Sequence, residues 1–240
     1  MPQSAKDKDE IINRIQAFEG RLENLEKQRL NLVFPYLTLR TIIGVLGMAL
    51  PIVVSLGAMA FFQTGLQNSI SGYYHTGMRD VFVGMLWAIG FFLFSYEGYE
   101  RADNIAGELA CVFAIGVALF PTSPDGAAGP VADIISVVHL VFAGLLFLTL
   151  AYFCLFLFTK TDPEVPPTPR KLQRNVVYRV CGYTMLLSFL LILVYTYLLP
   201  DSLVASIAPM RPIFWLEALA IFAFGVSWFT KGEGMLRDIP

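Results

Sequence analysis

Charge is what this sequence has least of. Asp, Glu, Lys and Arg make up only 15% of its 240 residues, where a soluble domain usually carries about a quarter. The shortage is also concentrated. No ionised side chain lies between Arg40 and Arg79, between Asp133 and Lys160, between Arg179 and Asp201, or between Glu217 and Lys231. A helix needs roughly 20 apolar residues to cross a bilayer, so these stretches read as membrane spans and not as core helices. Cysteine is scarce too. Cys111, Cys154 and Cys181 all fall in apolar stretches without metal-ligand spacing, which makes them small hydrophobes packed between helices. The net charge of −2 offers no electrostatic footprint for nucleic acid. Positions 1–28 are polar and lack the apolar core of a signal peptide, so the first span is expected to serve as its own insertion signal.

Catalytic signatures are missing as well. The chain has no G-x-S-x-G elbow, no Walker loop, no H-E-x-x-H and no G-x-G-x-x-G. It also lacks the paired, glycine-broken short spans that mark many secondary transporters, although a dimer could supply a transporter's full span count.

What the sequence has in abundance is apolar residues, at 56%. They predict an all-α polytopic membrane protein of about six transmembrane helices, near 37–61, 80–98, 104–121, 133–158, 176–199 and 212–230. Pro121, Pro124, Gly126, Gly129 and Pro130 punctuate one connection, and Pro163, Pro166, Pro167 and Pro169 a longer one. Pro51 should kink the first span. Threaded from an inside N-terminus, the spans leave fourteen Lys and Arg on the cytoplasmic side, and only Arg79 and Arg211 opposite. That asymmetry predicts N-in and C-in. The expected organisation is a cytoplasmic amphipathic helix over 1–34, a transmembrane domain over 35–231 and a cytoplasmic tail over 232–240. The expected location is the inner (plasma) membrane of a bacterium.

The N-terminal segment carries a seam of Ile11, Ile15, Phe18, Leu22 and Leu25, with Glu10–Arg14 and Glu23–Lys27 one turn apart. Six acidic residues balance six basic ones over positions 1–31, which favours self-association or packing on cytoplasmic loops over adhesion to anionic lipid. A plain amphipathic lead into the first span fits equally well.

Ionisable residues at membrane depth are costly and mark candidate sites. At the inner end, Arg40, Glu97, Glu108 and Arg179 are expected to form structural ion pairs that hold helix ends together. At the outer end, His75, Arg79, Asp80, His139 and Glu217 are candidate ligand-binding residues contributed by separate helices. Three roles stay open for this outer layer. Asp80 and Glu217 could act as catalytic groups beside a zinc ion held by His75, His139 and Asp80, with one open position. The group could instead line a polar pocket, open to the non-cytoplasmic side, that binds a small solute or headgroup without chemistry. Or the carboxylates could simply favour helix N-termini, as Asp80 and Asp133 suggest.

Two resemblances bear on these alternatives. The run Tyr73-Tyr74-His75-Thr76, then Arg79-Asp80-Val81-Phe82-Val83-Gly84, with Ala118-Leu119-Phe120-Pro121-Thr122, resembles a family of small bacterial multi-pass membrane proteins of unassigned function. That likeness implies fold and location only. Ser71-x-x-x-His75 followed by Asp80 is similar to the first half of the motif of the haemolysin-III, adiponectin-receptor and alkaline-ceramidase superfamily, and implies a zinc-dependent hydrolase of lipid amides. The chain departs from that pattern in having six expected spans instead of seven, and Ala143 where a second histidine would follow His139.

Overall fold

The computed structural model describes residues 3–98, 100–124, 129–161, 164 and 166–237. Within 3–35, side chains are described only at positions 14, 18, 20 and 21. The chain groups into two units, Met1–Thr38 and Leu39–Pro240.

The first unit is helical from Gln3 onward. Phe18 of the expected seam is 62% exposed. The side chains of Ile11, Ile15, Leu22 and Leu25, and the pairs Glu10–Arg14 and Glu23–Lys27, lie outside the described residues.

Every regular element of the described residues is helical. In chain order these are α1 (Gln3–Phe62), α2 (Arg79–Phe94), α3 (Arg101–Leu119), α4 (Pro130–Tyr152), α5 (Pro169–Tyr197), α6 (Asp201–Ile207) and α7 (Pro212–Lys231), with 3-10 turns at Ser71–His75 and Ala208–Met210. A π-helical segment, Phe153–Leu157, prolongs α4. Five helical stretches are long and apolar enough to cross a membrane: Tyr36–Phe62, Arg101–Leu119, Pro130–Leu157, Pro169–Tyr197 and Pro212–Lys231.

The helix ends differ from the sequence expectation for identifiable reasons. The second helix, expected to run to 98, stops at Phe94. There the Ser95 hydroxyl turns back to the Phe91 carbonyl at 2.9 Å, and Tyr96 drops into the core at 2% exposure. The fifth helix starts at Pro169, seven residues before its expected start at 176. Pro169 fits the first helical position because its missing N–H is not needed there, and the Thr168 hydroxyl caps the N–H of Lys171 at 3.0 Å. The first span continues through Pro51, where the Ser55 hydroxyl donates to the Pro51 carbonyl at 2.6 Å. The short α6, between the last two spans, was not anticipated.

In the second unit, α7 packs on α5 and α1, while α2, α3 and α4 follow one another around the bundle. Small residues set the closest approaches, as expected where lipid removes the hydrophobic drive between helices. A Cβ on Gly225 would sit 2.7 Å from the carbonyl oxygen of Gly44, so α1 and α7 meet backbone to backbone. Likewise, a Cβ on Gly107 would lie 2.6 Å from the Leu93 carbonyl and push α3 off α2. At the basic end, an interlocked aromatic cluster fills the core. Trp228 stands edge-on to Tyr96, Phe153 and Phe158 at centroid distances of 5.0, 5.2 and 5.1 Å. The three cysteines are free thiols, all buried.

Candidate functional site

The outer residues sit at the loops that close one end of the bundle. After α1, residues 63–78 form a loop whose centre is the 3-10 turn Ser71–His75. The first N–H groups of such a turn find no carbonyl within it, and a carboxylate from across the bundle meets them. Glu217 Oε2 accepts the N–H of Ile70 at 2.6 Å and that of Ser71 at 3.4 Å. The loop's own aromatic anchor is Tyr73, fully buried, whose hydroxyl accepts the Gln67 N–H at 3.5 Å. Burial pushes the Tyr73 phenol above its usual range, so it stays neutral, although the Gln67 bond and the charge of Arg211 oppose the shift.

Both histidines grip one stretch of chain, the exit from α3. His139 is 2% exposed on α4, and its Nδ1 meets the Phe120 carbonyl at 2.6 Å. His75 is exposed, and its Nε2 meets the Thr122 carbonyl at 2.7 Å. A carbonyl can only accept, so the proton lies on Nδ1 of His139 and on Nε2 of His75. Ser136 adds a third tie, accepting the Ser123 N–H at 3.2 Å.

The remaining two candidates stay outside this arrangement. Arg79 is exposed and engages Tyr74, with its guanidinium 4.6 Å over the ring and 3.0 Å from the hydroxyl. Asp80 is exposed in the first turn of α2, where its charge suits the helix dipole without a side-chain cap. Asp133 occupies the first turn of α4 in the same way. Among the described residues, no three of His, Cys, Asp and Glu come together as a group able to hold a metal ion. The structure therefore does not gather His75, His139 and Asp80 into a zinc site.

A cavity of about 60 Å³ lies inside the bundle, lined from α1, α2, α3, α4 and α7. Its wall is apolar: Phe82, Leu86, Ala143, Leu146, Phe147 and Ile221 are representative. Ser71 and Glu217 supply the polar edge. Of the five candidate ligand residues, only Glu217 lines this cavity. No family model, curated protein or solved structure matches the chain.

The four residues expected to pair at the other end are arranged differently. Glu97, Glu108 and Arg179 are exposed on the bundle. Arg40 is 4% exposed, with its guanidinium 5.2 Å over the Tyr96 ring. Among the described residues, one ion-pair cluster here involves carboxylates that sequence reasoning passed over, Glu100 and Asp103. Lys160, just beyond α4, reaches Glu100 at 3.0 Å and the buried Asp103 at 3.5 Å. Asp103 also accepts the N–H of Glu100 at 3.2 Å, which caps α3. The usable signal was E-x-x-D immediately before an apolar run, an acidic variant of the usual capping pattern.

Proposed function

We propose that this is a six-span membrane protein, N-in and C-in, that holds a small, mostly apolar molecule inside its bundle without carrying out chemistry on it. A bacterial inner membrane is the proposed location. The excess of basic residues on one side supports the orientation. For the sixth span, α2 supplies 16 residues, about 24 Å at 1.5 Å per residue. That is short of a hydrocarbon core, and local thinning of the bilayer makes up such a difference at modest cost.

One observation carries the binding reading: an apolar cavity whose one lining carboxylate, Glu217 of α7, also holds the loop residues Ile70 and Ser71 at its edge. Glu217 Oε2 holds the loop, and Oε1 is the oxygen proposed to take a donor from the ligand. By the measure in which a water needs about 10–15 Å³, the cavity accommodates roughly four to six water-sized groups. That suits a short alkyl chain ending in an amine or hydroxyl.

Photolabelling tests this. A short alkylamine bearing a diazirine should label peptides containing Leu146, Phe147 and Ile221 in detergent-purified protein. Excess unlabelled hexylamine should compete, and Ala143→Leu, which fills the cavity, should abolish the labelling. Labelling that survives both, or that falls only on outward-facing residues such as Val137 and Val141, overturns the reading.

A further inference from the structure

The connection between the last two helices exposes more apolar surface than a loop facing only water should. From Tyr197 at the end of α5 to Trp215 in the first turn of α7, its only charged side chains are Asp201 and Arg211. Tyr197, Leu198, Leu203, Met210 and Trp215 are each more than half exposed, Leu198 and Met210 by 74% and 72%. No side chain of α6, in the middle of this stretch, is buried. Large apolar side chains left bare as a group mark a surface that something covers.

The pattern on α6 gives it two sides. Leu203, Val204 and Ile207 share one, and Val204 and Ile207 are half-buried there. Asp201, Ser202 and Ala205 take the other and are all exposed. The tether fixes where this short helix sits. Only Leu198, Leu199 and Pro200 separate it from α5, a reach of no more than about 14 Å from Tyr197 to Asp201. The bare apolar surface also runs on without a break along the neighbouring spans, through Leu190 and Leu193 of α5 and Leu219 of α7. Tyrosine and tryptophan at span ends, here Tyr197 and Trp215, are the side chains that favour a boundary between membrane and water. A second copy of the chain is the poorer occupant. The seven residues of α6 extend only about 10 Å, far too little for the roughly 800 Å² that each partner brings to a stable interface.

We infer that α6 and its flanking turns bind the lipid surface as an interfacial foot, lying in the headgroup region with Leu203 and Met210 reaching the acyl boundary. The inference rests on the reading of α5 and α7 as membrane spans, and is independent of the ligand proposed for the cavity. Trp215 and Glu217 share the start of α7, so the foot seats in lipid the same end of the helix that holds Ile70 and Ser71.

Nitroxide labels on the full chain in vesicles of phosphatidylcholine and phosphatidylglycerol test this. Leu203→Cys, Met210→Cys and Ser202→Cys report on the foot, and Leu187→Cys, within α5, reports on the spans. All four positions are exposed, so the substitutions spare the core. The native thiols are buried, and the unsubstituted chain serves as the labelling blank. Oxygen concentrates in lipid, whereas a neutral nickel chelate stays in water. The ratio of oxygen to nickel relaxation should be at least about threefold higher at Leu203→Cys and Met210→Cys than at Ser202→Cys. A lipid signal at Leu187→Cys, with nickel reaching Leu203→Cys and Met210→Cys as freely as Ser202→Cys, overturns the foot and leaves the spans intact. A water signal at Leu187→Cys overturns both. Shielding of Leu203→Cys from both reagents, with spin–spin broadening that fades on dilution with unlabelled protein, places a second copy there and likewise overturns the inference.

Discussion

Glu217 on α7 and Ile70 in the α1–α2 loop are 147 positions apart in sequence, yet carboxylate and amide meet at 2.6 Å. Removing this acceptor strands a partly buried N–H. Glu217→Ala should therefore cost about 2–4 kcal/mol, and Glu217→Gln about 1 kcal/mol, because the amide oxygen still accepts. Chemical denaturation in mild detergent measures both. Amide exchange at Ile70 and Ser71 should rise in the alanine variant. Unchanged exchange there would mean that the carboxylate does not hold the loop.

The two histidines should separate cleanly. His139→Ala removes a buried ring and leaves the Phe120 carbonyl without its donor, and should cost about 2–4 kcal/mol. His75→Ala exposes the Thr122 carbonyl to water, which replaces the lost bond, and should cost less than about 1 kcal/mol. Equal losses would argue for a joint role such as shared metal binding, and this comparison is the direct test of the structural assignment.

The all-helical fold was legible because its cause is one-dimensional. Uncharged apolar stretches such as 41–62 announce their preference for hydrocarbon wherever they fold. The candidate site was legible only in depth. Counting along spans placed His75, His139 and Glu217 near one end, and the structure brings them to the loops there. Their partners, though, are backbone groups of Phe120, Thr122, Ile70 and Ser71, and a backbone amide or carbonyl has no sequence signature. The inner charges misled for a related reason. Glu97 lies beyond the end of α2, and Glu108 sits on an exposed face of α3, where a shift of one position would turn a side chain by about 100°. That Lys171 and Lys231 both reach Phe158 depends on how helices pack, which no local pattern records.

Packing at the α1–α7 crossing offers a sharp mutational contrast. Gly225→Ala would place a methyl 2.7 Å from both the Gly44 carbonyl oxygen and the Met48 nitrogen. Backbone cannot yield as a flexible side chain does, so the helices must part, and a loss of about 1–3 kcal/mol is expected. Gly84→Ala has open space around the added methyl. It should be neutral, or stabilising by up to about 1 kcal/mol through helix propensity. Thermal unfolding of the two variants side by side checks this, and equal behaviour would refute the close approach.

Lys160 makes the pH dependence of its own end of the bundle predictable in sign. Its bond to Glu100, helped by the charges of Asp103 and Glu100, raises the ammonium above the ordinary lysine value, against a smaller effect of burial. A group whose pKa is raised by folding stabilises the protein fully below its unfolded pKa, and loses that contribution as pH climbs through the folded one. The stabilisation should thus be complete at neutral pH and fade only above about pH 10.4, the ordinary lysine value. Glu100 is largely exposed and its share is screened, whereas Asp103 is buried and loses a counter-charge. Lys160→Gln should accordingly cost on the order of 1–2 kcal/mol at pH 7, and the gap to wild type should narrow as pH rises past 10.5. Salt at 0.5 M should shrink that gap only in part, since screening reaches Glu100 but not the buried carboxylate. A gap that stays constant across alkaline pH would show that Lys160 acts through packing of its aliphatic stem and not through its charge.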